Sequence, residues 1–93
     1  MNFEWDGDKN AANIDKHGID FTDAKRIFEG PTLERIDDRK AYGETRVAAV
    51  GVVENRELFV VYTTRGRTRR IISARKANRH ERKAYREAIN KDA

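Results

Sequence analysis

The stretch RVAAVGVVENRELFVVYTTRGRTRRIISARK, residues 46–76, decides the fold. It holds three apolar runs separated by short polar links. In Arg46–Val53, Val47, Ala49, Gly51 and Val53 share one face, and Ala48, Val50 and Val52 share the other. Both faces are apolar, as expected of a central strand. Glu54-Asn55-Arg56 reads as a turn. Leu58–Thr63 follows, with Leu58, Val60 and Tyr62 opposite Phe59 and Val61. Arg65-Gly66-Arg67 turns the chain again into Arg69–Ala74, where alternation puts Ile72 and Ala74 on one side and Ile71 on the other. Links this short predict an antiparallel meander.

Working outward, Leu33–Asp38 reads as a preceding strand of open register, followed by a polar turn at Arg39–Gly43. Phe3 and Trp5 flank Glu4 in a short first strand. Asp6 is placed to cap a helix over residues 7–17, with Asp8 in the first turn, a thin stripe of Ala11 and Ile14, and Gly18 as a left-handed stop. A shorter helix is expected over 23–29, capped by Thr22, with Ala24, Ile27 and Phe28 inward and Gly30-Pro31 ending it. Asn78-Arg79-His80-Glu81 has the pattern of a capping box that opens a final helix reaching about Asn90. The stripe of that helix, Ala84, Tyr85, Ala88 and Ile89, is narrow and predicts weak anchorage. The expected product is one α+β domain over 1–93: a small antiparallel sheet, two helices before it and one after.

The chain has 93 residues, 38% hydrophobic and 39% charged, with no cysteine. Disulfides and thiolate metal sites are thereby excluded. No apolar run approaches the roughly 20 residues that span a bilayer. The opening MNFEWDGDKN carries acids where a secretion signal carries bases. A soluble cytoplasmic protein is the expectation.

Charge is segregated. The net is +4. Arg65–Arg86 contains ten Lys/Arg against the single acid Glu81, while residues 1–64 hold nine bases and thirteen acids. A basic block of this kind attracts a polyanion. The two histidines, His17 and His80, form no metal-ligand spacing, and Asp37-Asp38 reads as a solvated pair. Ser73 is the only serine and stands in no nucleophile elbow; P-loop and dinucleotide fingerprints are missing. No cofactor and no metal are expected.

What remains is cationic chemistry. RNA carries its own nucleophile, the 2′-hydroxyl, beside the scissile phosphate. A protein need only move two protons and stabilise the added negative charge. Guanidinium and ammonium groups supply the second, and His80 or a lysine the first. Arg75, at a strand end beside Lys76 and close to the last helix, is the arginine placed first. His17 precedes Gly18, where the helix dipole favours an imidazolium, and reads first as a cap. Tyr85 reads as core or as a stacking platform for a base. A binding patch without catalysis would carry the same bases.

The runs WDGDKNAANIDKHGIDFTDAKRIFEGP, DDRKAYGETRVAAVGVV and LFVVYTTRGRTRRIISARKANRHERKAYRE resemble the BrnT family of toxins from bacterial type II toxin–antitoxin systems. The similarity rests on Trp5-Asp6, Asn13 with Lys16-His17-Gly18, Phe21, Gly43-Glu44 with Arg46, Val61-Tyr62-Thr63, and Ile71 through Ala77 with Glu81 and Tyr85. The resemblance implies a RelE-like fold and an endoribonuclease that cuts mRNA, on or off the ribosome, and arrests translation. It implies inhibition by a BrnA-like ribbon-helix-helix antitoxin, in a hetero-oligomer that reaches operator DNA only through the antitoxin. On matching positions, Arg65, Arg75, Lys76 and His80 are the catalytic candidates. Arg67, Arg69, Arg79, Arg82, Lys83 and Tyr85 are candidates for binding RNA, with Glu44 and His17 as accessories. Three other readings stay open: a gyrase poison of the same fold, a non-enzymatic nucleic-acid binder, and an interaction module that docks through helix 79–90.

Overall fold

The meander forms as expected and is extended at both edges. The computed structural model describes residues 1–38, 41 and 43–90, so Arg39, Lys40 and Tyr42 of the expected polar turn lie outside the described residues. The strands are β1 (Asn2–Glu4), β2 (Leu33–Ile36), β3 (Val47–Val53), β4 (Arg56–Arg65) and β5 (Thr68–Lys76), in the spatial order β1-β5-β4-β3-β2. β3 lies inside the sheet, as its two apolar faces require. The β3–β4 hairpin turns on Glu54 and Asn55, both at positive φ (50° and 66°). That is the backbone of a tight two-residue turn.

Three pairings are antiparallel, but β1 joins β5 in parallel, so the sheet is mixed. Hairpin logic reads only neighbours in sequence, and this pairing joins the two ends of the fold. The helices are α1 (Gly7–His17), α2 (Phe21–Ala24), continued by a 3₁₀ segment Lys25–Glu29, and α3 (Arg79–Asn90).

The two faces of the sheet bury two cores. On one face Ile19, Phe21, Ala24 and Ile27 pack against Ala49, Leu58, Val60, Tyr62, Ile71 and Ala74. On the other, Tyr85 and Ala77 pack against Ala48, Val50, Phe59 and Val61. Ile71 and Ala74 therefore share a face, and Ile72 lies on the opposite one, contrary to simple alternation. A β-bulge is the cause: Tyr62 faces Ile71 and Val61 faces Ser73, leaving Ile72 as the extra residue.

α1 docks by polar groups rather than by its apolar stripe. Ala11 and Ile14 are exposed, and Asn13 is the one buried residue of the helix. Its Nδ2 donates to the carbonyls of Ile19 (2.9 Å) and Ala74 (2.8 Å), and its Oδ1 accepts from the Ala74 N–H (3.1 Å). Asp6 caps α1 by accepting from the N–H groups of Asp8 and Lys9, and Gly18 ends it at φ 70°.

The next helix starts two residues before its expected position. Asp20, not Thr22, is its cap, accepting from the Thr22 N–H at 2.9 Å, and Asn10 ties into the same turn through Asp20 and the Phe21 N–H. Gly51 lets the 3₁₀ segment approach β3, because a Cβ there would sit 2.7 Å from Ile27 Cβ.

α3 opens with the expected box. The Glu81 N–H donates to Asn78 Oδ1 (2.9 Å) and the Asn78 N–H to Glu81 Oε1 (2.8 Å). It is held better than its stripe suggests. The Tyr85 hydroxyl donates to the Pro31 carbonyl (2.9 Å), and Arg86 grips Glu57 with two bonds of 3.0 and 2.7 Å.

Replacing Asn13 with Ala leaves both polar groups of Ala74 without this partner. A loss of about 2 kcal/mol is expected. In urea unfolding the midpoint should fall while the slope stays unchanged.

Candidate active site

α3 covers only part of its face of the sheet. Between it and β2 runs a groove of about 500 Å³, with Leu33, Ala48, Val50 and Phe59 as an apolar floor and Arg35, Asn78, His80 and Glu81 among its polar walls. It continues past Arg35, Phe59 and Glu81 toward Asp37 and Asp38.

Arg75 lies beside this groove and is held on three sides. Its guanidinium stacks over the Phe59 ring at 4.0 Å. Its two terminal nitrogens donate to the two oxygens of Glu81, each at 2.8 Å, and one also donates to the Lys76 carbonyl. A planar fork fixed by a carboxylate and a ring face is pre-oriented for a second planar or tetrahedral anion. The bulge at Ile72 is what turns Arg75 to this face. Its register partner is Phe59, which belongs to the core under α3.

Glu81 joins helix cap and arginine. Burial pushes its carboxyl up. The hydrogen bonds from Arg75 and the Asn78 N–H, with the charges of Arg75 and Arg35, pull harder, and its pKa falls below the ordinary 4.5. Glu81 was not among the expected site residues. Its signal was present as the last member of the capping box, but that role hid its second one.

The expected candidates separate into groups. Arg75 and His80 lie at the end of β5 and the start of α3, near exposed Arg79, whereas Lys76, the register partner of Leu58, leaves the strand on the opposite face. Arg65 does not join them. It ends β4, six residues beyond Phe59, the partner of Arg75, or about 20 Å away at the rise of a strand. Arg67 sits in the β4–β5 turn. Arg69 stands on the opposite face, its guanidinium 4.2 Å from the Phe28 ring centre and 5.2 Å from that of Tyr62. Arg82 donates to the Ala77 carbonyl (2.8 Å), and Lys83 lies 4.0 Å from Glu87 on the outer surface of α3.

Tyr85 is no stacking platform. It is 6% exposed and its hydroxyl is spent on Pro31, so it belongs to the core. Glu44 pairs with Arg46 (3.2 Å) beside Thr63 and Arg65, at the other end of β4 from the partner of Arg75, and His17 closes α1. The basic block is also less bare than its sequence. Glu4 meets Arg70 at 3.1 Å and Glu57 meets Arg86, both acids arriving from distant segments.

Sheet, groove and fixed arginine define a small α+β domain with a cationic seat beside an apolar cleft. Residues 5–81 match the model of a family described as the ribonuclease toxin, BrnT, of type II toxin-antitoxin systems. The chain belongs to that family, and an antitoxin partner follows from it. No curated protein matches the chain in a sequence search. Among the described residues no helix is long and apolar enough to cross a membrane.

Glu81 also sets a pH dependence. Its folded-state pKa is lowered, so its ionised form stabilises the fold above the unfolded value of 4.5, and that contribution is lost as pH falls through the folded value. Melting curves should show the wild type losing stability more steeply than Glu81→Gln below pH 4.5, with the variant the less stable protein at neutral pH.

Proposed function

We propose that the chain is an endoribonuclease whose cutting site is the groove between α3 and β2, working on mRNA without a metal ion. The observation that carries this is the Arg75 guanidinium, stacked on Phe59 and gripped at both terminal nitrogens by Glu81. A phosphodiester laid along the groove meets Arg75 as its charge-stabilising partner. The 2′-oxygen attacks phosphorus, the bond to the 5′-oxygen breaks, and one proton leaves the 2′-hydroxyl while another reaches the leaving oxygen. His80, on the groove wall, is the imidazole placed to carry one of those protons. Glu81 acts through Arg75, holding its fork in plane. The products are a 2′,3′-cyclic phosphate and a 5′-hydroxyl.

The biological reading follows the same line. The single domain arrests translation in the cytoplasm by destroying message, and a BrnA-like ribbon-helix-helix antitoxin silences it. Operator DNA is reached only through that antitoxin.

The test is incubation of the purified protein with mRNA in excess EDTA, with and without ribosomes. Fragments ending in cyclic phosphate are expected. Arg75→Ala should lower the cleavage rate at least about tenfold with an unchanged circular dichroism spectrum. Intact RNA under every condition, or full activity of Arg75→Ala, overturns the assignment.

A further inference from the structure

The basic block divides by what its members touch. Arg70, Arg75 and Arg86 each hold a carboxylate. Arg65, Arg67 and Arg69, at the β4–β5 hairpin, hold none among the described residues. Arg65 and Arg67 therefore stand unneutralised at one end of the sheet, with Arg69 beside the Tyr62 hydroxyl that donates to Glu34. Stability alone does not favour this, since like charges so close repel.

The surroundings indicate which anion fits. A hollow of about 450 Å³ there, on the face opposite the groove, is lined by Met1, Tyr62, Thr64, Gly66, Arg67 and Arg69. Arg69 is held flat by Phe28 on the core side, and a flat guanidinium offers a stacking surface to a base. The Tyr62 hydroxyl donates to Glu34, which fixes the ring at the hollow's edge. Cations that track a backbone, mixed with planar surfaces, are the chemistry of single-stranded nucleic acid recognition. An acidic protein segment would use the charges but not the planar groups.

Position sets the length of the ligand. Arg65 projects on the same face as Arg75, since Thr63 and Arg65 continue the alternation of Phe59 and Val61. About 20 Å of strand separates them. An extended single strand advances roughly 6 Å per nucleotide, so three or four nucleotides bridge the gap.

We infer that the β4–β5 hairpin is a second RNA-binding site: Arg65 grips the substrate strand three to four nucleotides from the phosphate seated at Arg75, and Arg67 in the turn leads the strand over the end of the sheet to Arg69 on the opposite face. This rests on the groove reading above and adds a length requirement to it: short oligomers reach Arg75 alone, longer ones reach both.

The test is fluorescence anisotropy with labelled 2′-O-methyl oligoribonucleotides of three and eight nucleotides, which cannot be cut. It compares the wild type, the double variant Arg65→Ala/Arg67→Ala and the α1 surface variant Lys16→Ala. The double variant should weaken binding of the eight-mer about tenfold and reduce its logarithmic salt slope by about 1.4, two lost contacts on a single strand. Binding of the three-mer, and all binding by Lys16→Ala, should stay unchanged. Equal eight-mer affinity in the double variant overturns the second site, as does loss of antitoxin binding with RNA binding intact. Cleavage of unmodified oligomers judges the groove separately. An eight-mer that is bound through the hairpin but never cut overturns the nuclease and leaves the second site standing. Equal kcat/KM for three-mer and eight-mer does the reverse.

Discussion

A single carboxamide governs how the layers of this domain meet. Ala74 turns both its N–H and its carbonyl toward the outer edge of β5, past the point where β1 has ended at Glu4. Asn13 satisfies both, and so stands in for the strand that is missing there. Its second donor bond, to Ile19, ties the loop after α1 to the same point. Buried polar groups of this kind cost more when one partner is removed than they contribute when complete. The position of α1, the end of the parallel pairing and the course of β5 thus depend on one residue. Between Arg70, the last partner of β1, and Ala74 the strand takes up its extra residue at Ile72. That bulge brings Arg75 out over Phe59.

Much of the fold was legible because local chemistry carries it. The hairpin at Glu54-Asn55, the Asp6 cap, the Gly18 stop and the Asn78–Glu81 box each involve residues within a few positions of one another. What escaped reading depended on distance along the chain. The parallel pairing of Asn2–Glu4 with Thr68–Arg70 spans the molecule. Asn13 had no assigned place in the packing because nothing in its neighbourhood announces Ala74. The α2 start went to Thr22 because Asp20 draws its support from Asn10 across a turn. Alternation misplaced Ile72 because a bulge changes the period without changing composition.

The site was half legible for a related reason. Arg75 and His80 are near neighbours in sequence and border the same groove, while strand alternation sends Lys76 between them to the other face. Arg65 joined them through the block of charge and the positions matching the family, and an extended hairpin carried it to the far end. A charge tally along the chain also overlooks partners from elsewhere. Glu4 and Glu57 neutralise two of the ten cations that the sequence presents as bare. Among the described residues, the cations without a carboxylate lie at both ends of the sheet rather than in one patch.

The groove has an order of assembly built into it. One wall comes from Leu33–Arg35, the floor from β3 and β4, and the other wall from Asn78–Ala84. A chain made from its N-terminus first can complete the helical layer over α1 and the hairpins while the last wall is still unmade. Until Glu81 is in place, the Arg75 fork has no carboxylate to hold it in plane. The cleft is therefore among the last features of the domain to form during synthesis, after the sheet that supports it.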